Sequence, residues 1–300
     1  MLGQIVKPEM RFSGLDSFGP RMRGFVAHVR TPNASGRSFR RACILAVAAL
    51  LLCARSAFAV TGERVDFPLR GQKLTLAVYR PPLSHGPVKG TIIMGSGDVG
   101  WVGLAVSLAA FLSDAGYVVV GVNAREYLAA FTTRTGGHLS ATDVPADYAR
   151  LADFLRARSL LDPPVLVSGV SEGAGLAILA ASAPANHSWI GGAITMGLPG
   201  TIELAWRWSD FTSWITKKDS GEPSFAAKDY IATVSPVPLY MIQSTRDEYV
   251  TERDYRLLEA AARTPKQLAL IDAANHRFTD KIQELRATYL KGLAWIHANS

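Results

Sequence analysis

The chain has 300 residues, of which 48% are hydrophobic and 19% are charged, as expected for a globular protein with a sizeable core. Its formal net charge of +7 comes from residues 1–59, which hold nine of the 32 basic and two of the 25 acidic residues. The remaining chain is neutral overall, which argues against nucleic acid or anionic lipid as its partner.

Residues 1–59 are predicted to be a leader with a Sec-type signal peptide. Arginines at 37, 40 and 41 precede an apolar run over 42–53, and Ala57-Phe58-Ala59 places small residues at a cleavage site. The run is about a dozen residues, whereas a membrane-spanning helix needs about 20, so no stable transmembrane anchor is expected after cleavage. We therefore expect a periplasmic or secreted protein.

Two features of the leader leave its details open. Arg40-Arg41 is a weak indication of twin-arginine export, and residues 1–36 have no clear pattern, as in an extended or misassigned start.

Cys43 and Cys53 both lie in the leader, so the mature domain has no disulfide, thiol nucleophile or cysteine-based metal site. With no H-E-x-x-H pattern either, neither a metal nor a cofactor is expected.

From residue 60 onward, strand-like and helix-like segments alternate. Strands are predicted over 65–69, 74–79, 91–94, 117–122, 164–168, 193–196, 239–243 and 268–272, and helices over 101–115, 143–159, 174–181, 252–263 and 280–297. This alternation predicts an α/β fold, with a mostly parallel central sheet flanked by helices. Because the sequence shows no internal repeat and no interdomain linker there, residues 60–300 are predicted to be a single domain.

An irregular, aromatic-rich segment interrupts the alternation over residues 198–238. It contains Trp206, Trp208 and Trp214, and we interpret it as a short lid insertion above the carboxyl edge of the sheet. Together with Trp101, these tryptophans are the predicted substrate-binding residues. The alternative is that the aromatic side chains pack the insertion onto the body of the domain.

The strongest motif is Gly169-Val170-Ser171-Glu172-Gly173. A short apolar strand precedes it and an Ala/Leu-rich helix follows, which is the context of a nucleophile elbow. The glycines remove side chains that would collide where strand and helix meet. Ser171 is therefore the predicted catalytic nucleophile, the alternative being an ordinary glycine-lined turn.

A serine hydroxyl needs a neighbouring base, and that base needs a carboxylate to orient it. His276 lies in the loop after the strand predicted over 268–272, and Asp247 follows the preceding strand. The carboxyl ends of parallel strands meet at one edge, so Ser171, Asp247 and His276 are expected to converge. Glu248 and Asp272 are alternative acids; the other histidines lack such a setting and are expected to be solvated.

Acyl transfer also needs amide donors for the developing oxyanion. The N–H of Glu172, directly after the nucleophile, is one predicted donor, and the amides of Gly97 and Asp98 in the glycine-rich loop 95–101 are the others. The competing interpretation, a phosphate-binding loop, lacks the Gly-Lys-Ser/Thr and G-x-G-x-x-G patterns.

Taken together, these motifs resemble the α/β-hydrolase superfamily across residues 63–298. Within it, Ser96-Gly97-Asp98-Val99-Gly100-Trp101 and the stretch 120–127 are similar to the bacterial VirJ/AcvB-like exported proteins. That resemblance implies a periplasmic serine hydrolase, and some members are associated with aminoacylated-phospholipid hydrolysis or type IV secretion. This chain departs from the branch at Val99, at Asn123 and at Glu172, where the branch usually has an aromatic residue.

Two functions follow from the sequence. The first is an exported serine hydrolase that cleaves a carboxylic ester or a related acyl bond of a small-molecule or lipid-like substrate. The second is a non-catalytic protein of the same fold that binds a periplasmic partner or a secretion component. The order Ser171, Asp247, His276 along the chain favours the enzyme, because a binding protein has no physical need for all three residues.

Overall fold

The computed structural model describes residues 62–133, 135–207 and 222–300, all of which lie in one compact unit, Phe58–Ser300. The predicted leader over 1–59 lies outside the described residues, so export remains a prediction. Within the described ranges, no helix is both long enough and apolar enough to cross a membrane.

An eight-stranded sheet forms the centre of the domain, in the order β1-β2-β4-β3-β5-β6-β9-β10. Its strands are β1 (Glu63–Leu69), β2 (Gln72–Tyr79), β3 (Thr91–Gly95), β4 (Val118–Val122), β5 (Val165–Val170), β6 (Ile190–Met196), β9 (Leu239–Ser244) and β10 (Lys266–Ile271). Strands β1 and β2 pair antiparallel, and every pairing from β4 to β10 is parallel. The central strands β3, β4 and β5 are buried along their whole length because helices cover both faces.

The helices divide between the two faces of the sheet. They are α1 (Leu104–Asp114), α2 (Ala124–Phe131), α3 (Asp143–Arg156), α4 (Glu172–Ser182), α5 (Glu252–Ala261) and α6 (Ile282–Asn299). Helices α1 and α6 pack in one apolar cluster with alternate residues of the strands, and α2, α3, α4 and α5 pack in the other. An apolar core therefore lies on each face of the sheet, and loops lie at its carboxyl edge.

This architecture confirms the predicted fold class, with three differences in detail. Helix α2 was missed: it is short, and it begins where the Asn123 side chain accepts a hydrogen bond from the Glu126 N–H. Helix α1 begins at Leu104 rather than 101, directly after Gly103, whose φ of 56° is non-helical. The insertion contains a two-stranded antiparallel sheet, β7 (Thr201–Glu203) with β8 (Ser224–Ala226).

Candidate active site

Ser171 occupies a one-residue turn between a strand and a helix. Strand β5 ends at Val170, α4 begins at Glu172, and Ser171 between them has φ 54° and ψ −117°. A residue with a side chain rarely adopts this conformation, which costs of order 1–3 kcal/mol and persists only where the surroundings enforce it. One restraint is the hydrogen bond from the Ser171 N–H to the carbonyl of Met196 on β6, at 3.0 Å.

The glycines flanking Ser171 are required by close backbone contacts. A Cβ at Gly169 would overlap the backbone of Gly173, and a Cβ at Gly173 would overlap the backbone of Gly95 and Ser96. The Gly173 N–H also donates to the Ser96 carbonyl at 2.9 Å. Helix α4 therefore starts against the end of β3, and this contact holds the turn at Ser171 next to the loop that follows β3.

Asp247 and His276 form a buried hydrogen-bonded pair. His276 Nδ1 lies 2.7 Å from Asp247 Oδ2, and their side chains are 7% and 0% exposed. The other oxygen of Asp247 accepts the N–H groups of Tyr249 at 2.8 Å and Val250 at 2.9 Å. The carboxylate is thus held by its own loop and orients the imidazole with Nδ1 as the donor.

The opposite nitrogen of the ring, His276 Nε2, is left available. It is buried and has no hydrogen-bond partner among the described residues. The ring edge packs against Tyr249, with centroids 5.4 Å apart, and its Cε1 lies only 2.6 Å from where a Cβ on Gly197 would be. Gly197 directly follows Met196, whose carbonyl accepts the Ser171 N–H. The end of β6 therefore lies against both the imidazole and the turn at Ser171.

The surroundings raise the pKa of His276. Burial acts in the opposite direction, by disfavouring the charged ring, but the hydrogen bond and charge of Asp247 together with the charges of Glu172 and Glu248 outweigh it. The neutral ring, which is the form able to accept a proton, is therefore more basic than an ordinary histidine, and this suits a general base.

The two alternative acids have other partners. Glu248 accepts the backbone N–H of His276 at 2.8 Å, so it positions the loop rather than the ring. Asp272 is 75% exposed on its side chain and pairs with Arg246 at 3.0 Å. Among the three candidate carboxylates, Asp247 is the one whose side chain reaches the imidazole.

Of the four remaining histidines in residues 60–300, His85, His138 and His297 are exposed, as expected, whereas His187 is half-buried. His138 Nδ1 lies 2.7 Å from the Leu139 carbonyl, and His187 Nε2 lies 2.9 Å from the Ala181 carbonyl. His297 contacts the Tyr117 hydroxyl at 3.3 Å, while His85 is exposed. Their partners are backbone carbonyls or a tyrosine, because helix ends and loops leave unpaired acceptors that an imidazole N–H satisfies.

The residues Ser96–Gly100, called here the oxyanion loop, follow β3 beside Ser171. The buried Ser96 hydroxyl stabilises the loop: it accepts the Ala124 N–H at 3.0 Å and donates to the Gly97 carbonyl at 3.1 Å. A Cβ on Gly97 would be 3.6 Å from the Cβ of Ser171, so the loop borders this serine. The predicted donor Asp98 is engaged, since its N–H donates to the Glu172 carboxylate at 2.8 Å.

The predicted substrate-binding tryptophans fall into two groups. The Trp101 indole donates to the Tyr79 hydroxyl at 3.2 Å and covers Gly121 on β4, where any Cβ would overlap it. Trp206 packs under the guanidinium of Arg125, 4.3 Å from the ring centroid. These contacts anchor both rings to the domain, whereas Trp208 and Trp214 lie outside the described residues; substrate contact by any of them remains a prediction.

Two residues of this site were missed from the sequence. Gly197, with φ +57°, leaves the space that His276 fills, and its position directly after a predicted strand is the available signal. The Glu172 side chain contacts the oxyanion loop, although the motif drew attention only to its backbone. An acid directly after Ser171 in the Gly-x-Ser-x-Gly motif is the signal for that contact.

Comparison with solved structures places this architecture among known folds. An esterase domain from Rhodothermus marinus (18% identity, TM-score 0.54) is covered over 98% of its length by 78% of this chain. Est1E from Butyrivibrio proteoclasticus (13%, 0.55) is covered over 99% by 77% of the chain. An α/β serine hydrolase without a lid from Xanthomonas campestris (17%, 0.51) is covered over 94% by 78% of it.

At the level of sequence, no protein-family model matches the chain, and no curated protein does so either. The structural likeness nevertheless spans nearly the whole of each neighbour, and the mostly parallel sheet has helices on both faces as predicted. The chain therefore has the α/β-hydrolase fold.

Proposed function

We propose that the protein is an exported serine hydrolase that cleaves a carboxylic ester or a related acyl bond through Ser171, His276 and Asp247. The observation that carries this proposal is the buried pair of His276 and Asp247, which leaves Nε2 unpartnered against Gly197, the residue after the one whose carbonyl accepts the Ser171 N–H. A buried polar nitrogen without a partner is costly in a merely structural role, and a proton acceptor for a serine needs that atom free.

The proposed reaction proceeds through an acyl-enzyme. Ser171 Oγ attacks the carbonyl carbon while its proton moves to His276 Nε2, and the carbonyl electron pair becomes an oxyanion. The intermediate collapses, the bond to the leaving alkoxide breaks, and His276 returns the proton to that oxygen. Water then attacks the acyl-enzyme with His276 again as base, which releases the acid and restores Ser171.

Two amides are proposed to stabilise the oxyanion. The Glu172 N–H opens α4, where the helix dipole favours negative charge, and the Asp98 N–H lies on the facing oxyanion loop. The amide of Gly97 is a further candidate on the same loop.

The substrate class is proposed to be a small-molecule or lipid-like acyl compound. A domain of zero net charge outside its leader and an aromatic-rich insertion favour an uncharged or aromatic acyl group. Of the structural neighbours, Est1E has been solved with ferulic acid bound, which makes ferulate esters reasonable members of a first panel. The proposal that the protein is exported rests on the leader. The proposed kinship with the VirJ/AcvB-like branch rests on the loop 96–101.

The alternative is a non-catalytic binding protein that acts with a periplasmic partner or secretion system. It is favoured by the engagement of Asp98 N–H with Glu172, because an occupied donor is unavailable to an oxyanion. The two functions differ in whether Ser171 is chemically activated.

The test is covalent labelling of the purified protein with a fluorophosphonate probe, followed by hydrolysis of an ester panel. Wild type is expected to label; Ser171→Ala abolishes labelling, and His276→Ala slows it by about 100-fold or more because the base is lost. His138→Ala, an exposed loop histidine, is the matched control and labels like wild type. Absence of labelling in folded wild-type protein would reject the enzyme and favour the binding protein.

A further inference from the structure

The carboxylate of Glu172 lies between the nucleophile and the oxyanion loop. Its Oε2 accepts the Asp98 N–H at 2.8 Å. The position that a Cβ on Gly97 would take is 3.6 Å from this oxygen and 3.6 Å from the Cβ of Ser171. A carboxyl group therefore already lies where the loop faces Ser171.

The Asp98 N–H, which donates to this carboxylate, is one of the groups that acyl transfer is proposed to need for the oxyanion. Burial and then the charge of Asp98 raise the pKa of Glu172, whereas hydrogen bonds from its own N–H, the Ser171 hydroxyl and the Asp98 N–H hold that pKa down. One of the three predicted oxyanion donors, the Asp98 N–H, thus already has an internal acceptor, which belongs to the first residue of α4.

We propose that the Glu172 carboxylate is an internal occupant of the oxyanion site, which a substrate carbonyl must displace before Ser171 attacks. The proposal rests on the function proposed above and names the residue that regulates access to the site. One N–H group makes one strong hydrogen bond, so the carboxylate and an oxyanion compete for the Asp98 amide. Glu172 accordingly slows acylation, although it is part of the nucleophile motif.

The competing role for Glu172 is positioning. A carboxylate that ties α4 to the oxyanion loop would hold the donors in place, and its removal would then impair the site. If Glu172 occupies the site, removing its carboxylate makes Ser171 more reactive; if it positions the donors, removal makes Ser171 less reactive. The rate at which Ser171 reacts therefore distinguishes the two roles.

The experiment compares the second-order rate of fluorophosphonate labelling in Glu172→Ala, Glu172→Gln and wild-type full-length protein. The phosphoryl oxygen of the probe enters the oxyanion site, so Glu172→Ala is expected to label about 10- to 100-fold faster. Glu172→Gln, which keeps the shape and a weaker acceptor, is expected to lie between them. Glu126→Gln is the matched control, because that carboxylate also accepts a backbone N–H, from Thr75 at 2.8 Å, away from Ser171.

A second measurement reports on the contact without turnover. The ¹H–¹⁵N signal of the Asp98 amide is expected to move upfield in both Glu172 variants but not in Glu126→Gln, since a carboxylate acceptor is lost. Slower or unchanged labelling of Glu172→Ala, or an unmoved Asp98 signal, overturns the proposal. If no variant labels while the Asp98 signal moves, the occupied amide stands and the hydrolase function fails instead.

Discussion

Asp247 shows how one carboxylate is selected from the three candidates that the sequence offers as a partner for His276. Asp272 is only four residues before the histidine, which makes it an alternative acid only, but Asp247 and Glu248 are adjacent and sequence position does not separate those two. The selection depends on side-chain direction: Asp247 is buried with its oxygens divided between two backbone amides and the imidazole, while Asp272 is turned to solvent. Burial strengthens the favoured pair because water does not screen it.

Replacing Asp247 by Asn is expected to reduce kcat by about 10³- to 10⁴-fold, since an amide neither fixes the Nδ1–H tautomer nor stabilises the imidazolium. The measurement is steady-state hydrolysis of the best ester of the panel. Asp272→Asn removes an acid of the same type from the exposed pair with Arg246 and is expected to retain activity. Equal losses in the two variants would contradict the assignment of Asp247.

The pH dependence of the reaction is expected to report the environment of His276. Its raised pKa means that the ring gains a proton, and the base is lost, as pH falls through that value. Glu172→Gln removes one of the charges that raise this pKa, so the acid limb of kcat/KM is expected to move to lower pH. Glu126→Gln is the control, and a limb that stays in place in Glu172→Gln would show that Glu172 and His276 are not electrostatically coupled.

At the scale of elements, the site depends on how closely α4 approaches β3. The contact is between backbones, at Gly173 and Gly95, and it places the turn at Ser171 against the loop Ser96–Gly100. Side chains are excluded there for steric reasons, which is why the motif carries glycine at both flanks of Ser171.

Gly173→Ala is therefore expected to destabilise the fold, because the new Cβ overlaps backbone atoms that have no rotamer to relieve the clash. Overpacking of this kind costs about 1–3 kcal/mol, or a fall in Tm of roughly 5 °C for a domain of this size. Thermal unfolding followed by circular dichroism measures the shift. Gly200→Ala, whose Cβ meets nothing within 4 Å, is expected to melt like wild type, and a Gly173→Ala variant that does the same would refute this packing.

At the scale of the whole molecule, charge and cysteine distribute unevenly along the chain. All of the net charge and both cysteines belong to residues 1–59, and the remainder is balanced. This division is expected of a removable export signal followed by a neutral domain.

We predict that the protein recovered from the periplasm or medium of a bacterial host begins at Val60, after cleavage following Ala59. Intact mass spectrometry measures the cleavage position. Ala59→Leu is expected to block processing, because the −1 position requires a small residue, whereas Thr61→Ser is expected to be cleaved normally. Full-length protein confined to the cytoplasm would disprove the signal peptide.

The sequence by itself determined the fold class and the neighbourhood of the candidate site. Apolar strands alternating with amphipathic helices have one stable arrangement, a covered parallel sheet, and the loops that leave its carboxyl edge then meet. For this reason the segments that carry Ser171, Asp247 and His276 were predictable, while the short helix α2 was not, since its start depends on the Asn123 cap rather than on periodicity.

Only the tertiary structure decided which atoms meet within that neighbourhood. The choice of Asp247, the cleft at Gly197 that accepts the imidazole, and the Glu172 carboxylate on the Asp98 amide each depend on side-chain direction and on contacts between distant segments. Such contacts are a property of packing: Asp272, four residues from His276 along the chain, points to solvent, whereas Asp247, 29 residues away, lies 2.7 Å from the ring.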